Sequence, residues 1–286
     1  MSIATFIPKV WSARLLEHLR KNLVVANLFN RDYEGEIAQM GDTVHINQLA
    51  EIAVKSYTAN VDIADPDQLS TALQSLVIDQ GDYFNFYLND VDRAQARGDL
   101  MDKAMQSASY GLADQLDRYL AGLLATGTLT TGLGTDAQPL YVTAENAYEL
   151  MVQMKVALDK ANVPTQGRYI LMPPEFEGYM LLDNRFASAY GTNAEQRLIN
   201  GLVARASGFD IYISNNVKNT EGALYKVVAS TVDQATYANQ IVKTEAYRRE
   251  KGFDDGVKGL HVYGAKVLRP EAVAVATVNF GTNPNA

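Results

Sequence analysis

The stretch Ser75-LVIDQGDYFNFYLNDVDRAQARGD-Leu100 changes its period partway along. Residues 74–79 and 82–88 alternate apolar and polar side chains, the two-residue repeat of β-strands. From about Asn89 the repeat lengthens to three and four. Met101, Ala104, Met105, Ala108, Leu112, Leu116, Tyr119, Leu120 and Leu123 form one continuous apolar stripe, which predicts a helix from about Asn89 to Leu124. Asp90, Asp92 and Asp99 fall in its first half, where carboxylates suit the helix dipole. At about 1.5 Å per residue, and allowing a break near Gly98, such a helix is roughly 35–50 Å long. A helix of that length with a single apolar stripe is expected to lie across a sheet as a spine.

Upstream of this junction, residues 43–46 and 51–57 also alternate. Between the upstream and downstream strand patterns lies Asn60-VDIADPDQ-Leu69, acidic and with little to bury. The natural reading is an extended hairpin over residues 43–88 with a polar tip. Two strands alone are marginal in water, so this ribbon requires a partner surface. Further upstream, Trp11, Leu15, Leu19, Val24 and Leu28 follow Pro8 at roughly helical spacing. That segment has too few apolar positions to bury itself, and it reads as an arm that docks elsewhere.

Downstream, Thr126-GTLTTGLGT-Asp136 is rich in glycine and threonine and reads as a linker. A helix expected to be capped by Thr143 carries the stripe Ala147, Leu150, Met151, Met154, Ala157, Leu158 and Ala161, and Pro164 closes it. Residues 168–172 are strand-like, and Pro173-Pro174 opens a short helix through about Leu182. Residues 209–214, 224–229, 241–247, 256–268 and 273–278 read as further strands. Strands and helices mix without a regular βαβ rhythm, so the fold class is α+β.

The chain has 286 residues, no cysteine and three scattered histidines (His18, His45, His261). Disulfides, thiolate metal sites and cysteine nucleophiles are thereby excluded. No run approaches the 18 or more apolar residues of a membrane span, and the N-terminus lacks the pattern of a secretory signal. The motif search assigns no catalytic residue, no cofactor-binding residue and no metal ligand. Gly127-x4-Gly132 resembles the start of a phosphate loop, but Leu133 stands where its lysine belongs. Gly132-Leu-Gly134 follows a helix rather than a strand, so it reads as a plain loop and not a dinucleotide fingerprint. Asp65 and Asp67 lack the turn glycine and closing glutamate of a calcium loop, and Asp254-Asp255 reads as a turn. None of the three histidines has a carboxylate or serine constellation beside it in sequence.

The net charge of −8 is unevenly divided. Residues 1–31 carry five basic side chains against one acidic, whereas residues 51–100 carry three basic against nine acidic. Opposite segments of this kind suit contacts between copies of one chain. A net acidic protein is poorly suited to gripping nucleic acid directly.

In its order of parts the chain resembles the major capsid proteins of tailed bacteriophages with the HK97-type fold. The passage 75–100 is similar to that family's step from its extended hairpin, the E-loop, into its spine helix. Met172-PPEFEGYMLLDNRF-Ala187 and Gly208-FDIYISNNV-Lys218 resemble its axial (A) domain. Thr244-EAYRREKGFDDGVKGLHVYGAKVLRPEAVAV-Ala276 resembles the strands returning through its peripheral (P) domain. The resemblance implies an N-terminal arm at 1–34 and an E-loop β-hairpin at 35–88. It implies a P domain with the spine helix from 89–126 and 241–268, and an A domain from 127–240 and 269–286.

It further implies a non-enzymatic protein without cofactors that self-assembles as pentamers and hexamers into an icosahedral head shell around double-stranded DNA. The partners expected are other copies of the chain, a separate scaffolding protein, a portal, and a decoration protein as a further candidate. Localisation is the virion, with assembly in the host cytoplasm. Lys55, the hairpin's lone lysine, reads as a solvated side chain rather than a crosslinking one. The residues alone leave two alternatives open. One is an encapsulin-like nanocompartment shell, and the other is a soluble α+β ligand-binding protein or enzyme.

Overall fold

Alternation along three strands sets the centre of the molecule. In a computed structural model, residues 24–33, 41–49, 54–57, 59, 62, 71–89, 100–182, 202–220, 222–248 and 254–281 are described. The elements, in chain order, are β1 (Thr43–Leu49), β2 (Thr71–Val77), β3 (Gln80–Asn89), α1 (Leu100–Leu124), β4 (Leu140–Val142), α2 (Ala147–Lys160), β5 (Arg168–Met172), α3 (Pro174–Leu182), β6 (Leu202–Ala206), β7 (Phe209–Ile213), β8 (Asn219–Thr220), β9 (Leu224–Thr231), β10 (Ala235–Arg248), β11 (Asp254–Val267) and β12 (Ala274–Phe280). A seven-stranded mixed sheet runs β4-β12-β9-β5-β7-β6, with β8 on β9. Because successive side chains leave a strand on opposite faces, β5 sends Tyr169 and Leu171 toward α1 but Ile170 and Met172 toward α2 and α3. β9 and β12 do the same, with Val228, Val273 and Val275 on one side and Val227, Ala229, Ala274, Ala276 and Val278 on the other. The sheet is therefore buried on both faces, which is why these strands read as near-continuous apolar runs.

α1 is the spine. Met105, Leu112, Leu116, Leu120 and Leu124 share one core with that sheet and with a second, three-stranded antiparallel sheet of order β10-β11-β3. Twenty-five residues give this helix a length of about 37 Å. α2 buries Ala147, Leu150, Met151, Met154 and Leu158, five positions of its expected stripe, whereas Ala161 is exposed just past its end. α2 opens at Asn146, and Thr143 contributes its carbonyl to the N–H groups of Asn146 and Ala147. Asn146 Oδ1 in turn accepts from the Thr143 N–H. Thr143 thus shapes the start of the helix, but the N-cap is Asn146 and not the expected Thr143.

Several expectations change. Asn89 is the last residue of strand β3, opposite Asp254, and not the first of the spine helix, while 90–99 lies outside the described residues. Residues 80–88 are expected in the ribbon. They pair instead with β11, so the two-stranded ribbon consists of β1 against β2 alone. Both segments alternate, and alternation does not name a partner. Residues 54–57, read as strand, are in no strand of the described residues. β10 begins at Ala235, six residues before the strand expected over 241–247. The glycine–threonine segment is no free linker. Leu129 and Leu133 exchange backbone hydrogen bonds with Val273, Val275 and Thr277 along β12. Gly127 is required there, since a Cβ would lie 2.5 Å from the Val273 carbonyl. Asp254-Asp255 forms the start of β11 and not a turn, with Asp255 paired to Arg248.

Candidate functional site

The features that survive as functional candidates are surfaces. The root of the ribbon crosses the outer face of the three-stranded sheet. Val44, Ile46, Leu76 and Ile78 pack there on Ala238 and Val262. A glycine makes the crossing close: a Cβ on Gly264 would meet the Val77 carbonyl at 2.2 Å and the Ile78 Cα at 2.9 Å. Lys266 Nζ donates to the Ser75 carbonyl at 2.9 Å and Gln74 Nε2 to the Leu268 carbonyl at 3.1 Å, fixing the ribbon's departure. Beyond the root the same outer face is open to solvent, with Tyr83 77% and Tyr87 59% exposed beside Leu260. Across it Glu245 pairs with Lys243 and Lys258. Those two ammonium groups hold its carboxyl down to about 2. Tyr247 spans Gly256 and donates to Asn85 Oδ1 at 2.7 Å.

The arm's docking point is the second feature. The 3₁₀ turn Val25–Leu28 is buried against α1, and Asn30 forms a parallel bridge to Thr236 on β10. Asp117, inside the apolar stripe of α1, accepts the Val25 N–H at 3.2 Å and also receives the N–H groups of Val24 and Ala26 and the Asn216 side chain. Burial outweighs these bonds and raises its carboxyl to about 6. The signal was legible: a carboxylate between Leu116 and Leu120 breaks an apolar stripe, and buried carboxylates need donors. Arg168 was missed as well. Almost wholly buried, it donates to the carbonyls of Val163 and Pro164 and to Asp159 Oδ1, closing the C-terminal end of α2.

Of the histidines, His45 is exposed on β1, and His18 lies outside the described residues. His261 is fully buried on β11 beside Tyr263 and Asn239, and desolvation lowers its pKa to about 4. A neutral packed histidine results. Lys55 is exposed, and Asp65 and Asp67 lie outside the described residues. Gly132 and Gly134, both at positive φ, shape the turn that carries Leu133 onto β12 and do not open a cradle for phosphate. Among the described residues no group of three or more histidines or acidic side chains is placed to hold a metal ion, and no helix is long and apolar enough to cross a membrane.

Residues 47–276 match the family model described as phage capsid protein. The chain belongs to that family. A solved structure from Mycobacterium phage Che8 is 31% identical, covering 91% of each chain with a TM-score of 0.71. The capsid of Ralstonia phage GP4 shares 14% identity over 91% of this chain and 88% of its own, at a TM-score of 0.66. A virus-like particle from Pyrococcus furiosus shares the fold at 12% identity and a TM-score of 0.55, over 94% of this chain and 98% of that one. No curated protein matches the chain. This phage capsid protein has the HK97-type α+β fold, and it is a structural component of the virion rather than an enzyme.

Proposed function

We propose that copies of this capsid protein assemble as pentamers and hexamers into an icosahedral head shell that encloses double-stranded phage DNA. The observation that carries the proposal is the ribbon. Its root is packed on its own subunit, while Val54 and Tyr57 further along stand 97% and 76% exposed. A protein with no other use for such a ribbon would leave it as an aggregation hazard. Laid on a neighbour, it multiplies a modest contact by the symmetry of the shell. In this reading the subunit divides into arm, E-loop ribbon, P domain around α1 and the three-stranded sheet, and A domain around the seven-stranded sheet. The net charge of −8 suits a container whose DNA must slide, because a strongly basic lining would grip phosphates. A separate scaffolding protein, a portal and a decoration protein are the partners proposed, with assembly in the host cytoplasm.

Electron microscopy of the purified protein, alone and with any co-encoded scaffold, tests the reading. Closed shells built of five- and six-fold capsomers, protecting DNA from nuclease in phage particles, are expected. Shells that hold protein cargo and no DNA would favour a nanocompartment, and a small discrete oligomer in sedimentation would overturn both. Deleting residues 58–72, which the sequence reads as the hairpin tip, should leave a folded subunit that assembles poorly.

A further inference from the structure

The chain carries a net charge of −8, yet its two sides treat their cations differently. On the ribbon side of the three-stranded sheet, Lys243 and Lys258 both pair with Glu245, and Lys266 is committed to the Ser75 carbonyl. Successive side chains of β10 and β11 leave on opposite faces, so Ala238 and Val262 meet the ribbon while Tyr237 and Tyr263 meet α1. The spine and the arm's docking turn therefore lie on the side away from the ribbon root.

On that side a polar pocket of about 370 Å³ opens between α1 and the turn from β7 to β8. It is lined by Arg118, Asn215, Asn216, Val217, Lys218 and Asn219, and among the described residues that lining holds no carboxylate. The pocket is built before any ligand arrives. Val217 is buried in the core that α1 shares with the sheets, which mounts the turn on the spine. Asn216 Nδ2 donates to Asp114 Oδ1 at 2.9 Å. Arg118 donates through Nη2 to Asp114 Oδ2 at 2.8 Å and through Nε to Asn216 Oδ1 at 3.4 Å. These bonds orient the guanidinium and leave its Nη1 N–H groups for a ligand. Lys218 stands exposed at the same opening.

The arm brings further cations to this place. Asp117 binds both the Asn216 side chain and the N–H groups of Val24, Val25 and Ala26, so the arm meets the spine beside the pocket. Lys21 and Arg20 precede Val24 by three and four residues, which keeps them within about 11 and 14 Å of it by chain length alone. We infer that Arg118 and Lys218, with Arg20 and Lys21 of the arm, bind phosphodiester groups of packaged double-stranded DNA, so that the spine side of the subunit faces the genome. This rests on the shell reading above and adds which side lines the interior and where phosphates touch it. The chemistry suits a phosphate: an oriented guanidinium fork, an ammonium and side-chain amides, all of them donors. So few cations, one of them already facing Asp114, make a weak contact that salt loosens. Such a contact keeps DNA at the wall and still lets it slide.

The test measures binding of a short fluorescent DNA duplex to the unassembled full-length subunit across a salt series. Affinity should fall with salt at a log–log slope of about −3 to −4, near 0.9 for each contacting cation. Arg118→Gln and Lys218→Gln should each reduce that slope by about one. Each should also weaken binding roughly tenfold at about 20 mM salt, whatever the sequence of the duplex. Both side chains are exposed, so the variants should keep the fold, which circular dichroism checks. Lys243→Gln, on the ribbon side, should change neither slope nor affinity. Absence of duplex binding at low salt, or an equal loss from Lys243→Gln, would overturn the site. Poly-glutamate that binds more tightly than the duplex, and loses binding in the same two variants, would assign the pocket to an acidic protein partner and overturn DNA as its ligand. Electron microscopy of the same preparations keeps the two readings apart. Shells from an unmodified chain that binds no duplex would overturn the site and leave the shell reading standing. An unmodified chain that forms no shells would overturn both.

Discussion

Two glycine-to-alanine substitutions should move stability in opposite directions, and the difference tests the ribbon root. At Gly264 an alanine Cβ would lie 2.2 Å from the Val77 carbonyl and 2.9 Å from the Ile78 Cα. Both obstacles are backbone, so relief requires the root to retreat by about 1 Å from ordinary contact distance. A retreat of that size forfeits a quarter to a half of the dispersion energy of Val44, Ile46, Leu76 and Ile78 on Ala238 and Val262. Overpacking of this kind costs about 1–3 kcal/mol, and the stiffer unfolded chain returns only about 0.4–1 of it. The net expectation for Gly264→Ala is a loss of about 2 kcal/mol. At Gly122, inside α1, an added Cβ meets nothing within 4 Å. Helix propensity alone then predicts a gain of up to about 1 kcal/mol for Gly122→Ala. Urea unfolding of the unassembled subunit reads both. With a slope near 3 kcal/mol/M, the first midpoint should fall by roughly 0.7 M and the second should rise by about 0.3 M. Hydrogen exchange at Val44, Ile46 and Leu76 should quicken in the first variant alone. A Gly264→Ala subunit as stable as the unmodified one would refute the close crossing of ribbon and sheet.

Acid titration should expose two opposed buried groups. Asp117 is raised from 3.8 to about 6, so between those values the folded state holds the extra proton, and the group's contribution to stability falls as pH rises through about 6. His261 is lowered from 6.5 to about 4, so there the unfolded state holds the proton, and its contribution rises with pH across that window. Each amounts to about 3 kcal/mol at full extent, and in the unmodified chain they largely cancel between pH 4 and 6. Asp117→Asn should lose stability on acidification and His261→Gln should gain it. Two parallel pH profiles would contradict the assignment. Arg168→Met should cost about 3 kcal/mol in urea unfolding, because the carbonyls of Val163 and Pro164 lose a buried charged donor. Arg168→Lys should recover less than half of that, since one ammonium cannot reproduce the guanidinium fork; full recovery would show the site to need charge alone.

The period change inside 75–100 was enough to place a strand beside the spine helix, and the apolar stripes of α1 and α2 anticipated most of the side chains they bury. The kind of protein came from the resemblance of its ordered arm, hairpin, spine and returning strands to the tailed-phage capsid family, which pointed to a shell subunit before any geometry was known. Such signals are local: periodicity records which face of an element is apolar.

Only the tertiary structure decided what each face and edge meets. Residues 74–79 and 82–88 alternate alike, yet β2 joins the ribbon and β3 joins β11, because strand partners are chosen by long-range packing that alternation does not encode. Asp117 interrupts an apolar stripe, but its donors were unknown until the arm's turn was seen to place its N–H groups on it. Gly264 was one of twenty glycines until the Val77 backbone was seen to cross it. In each case the deciding partner is remote along the chain, so the constraint exists only once the chain has folded.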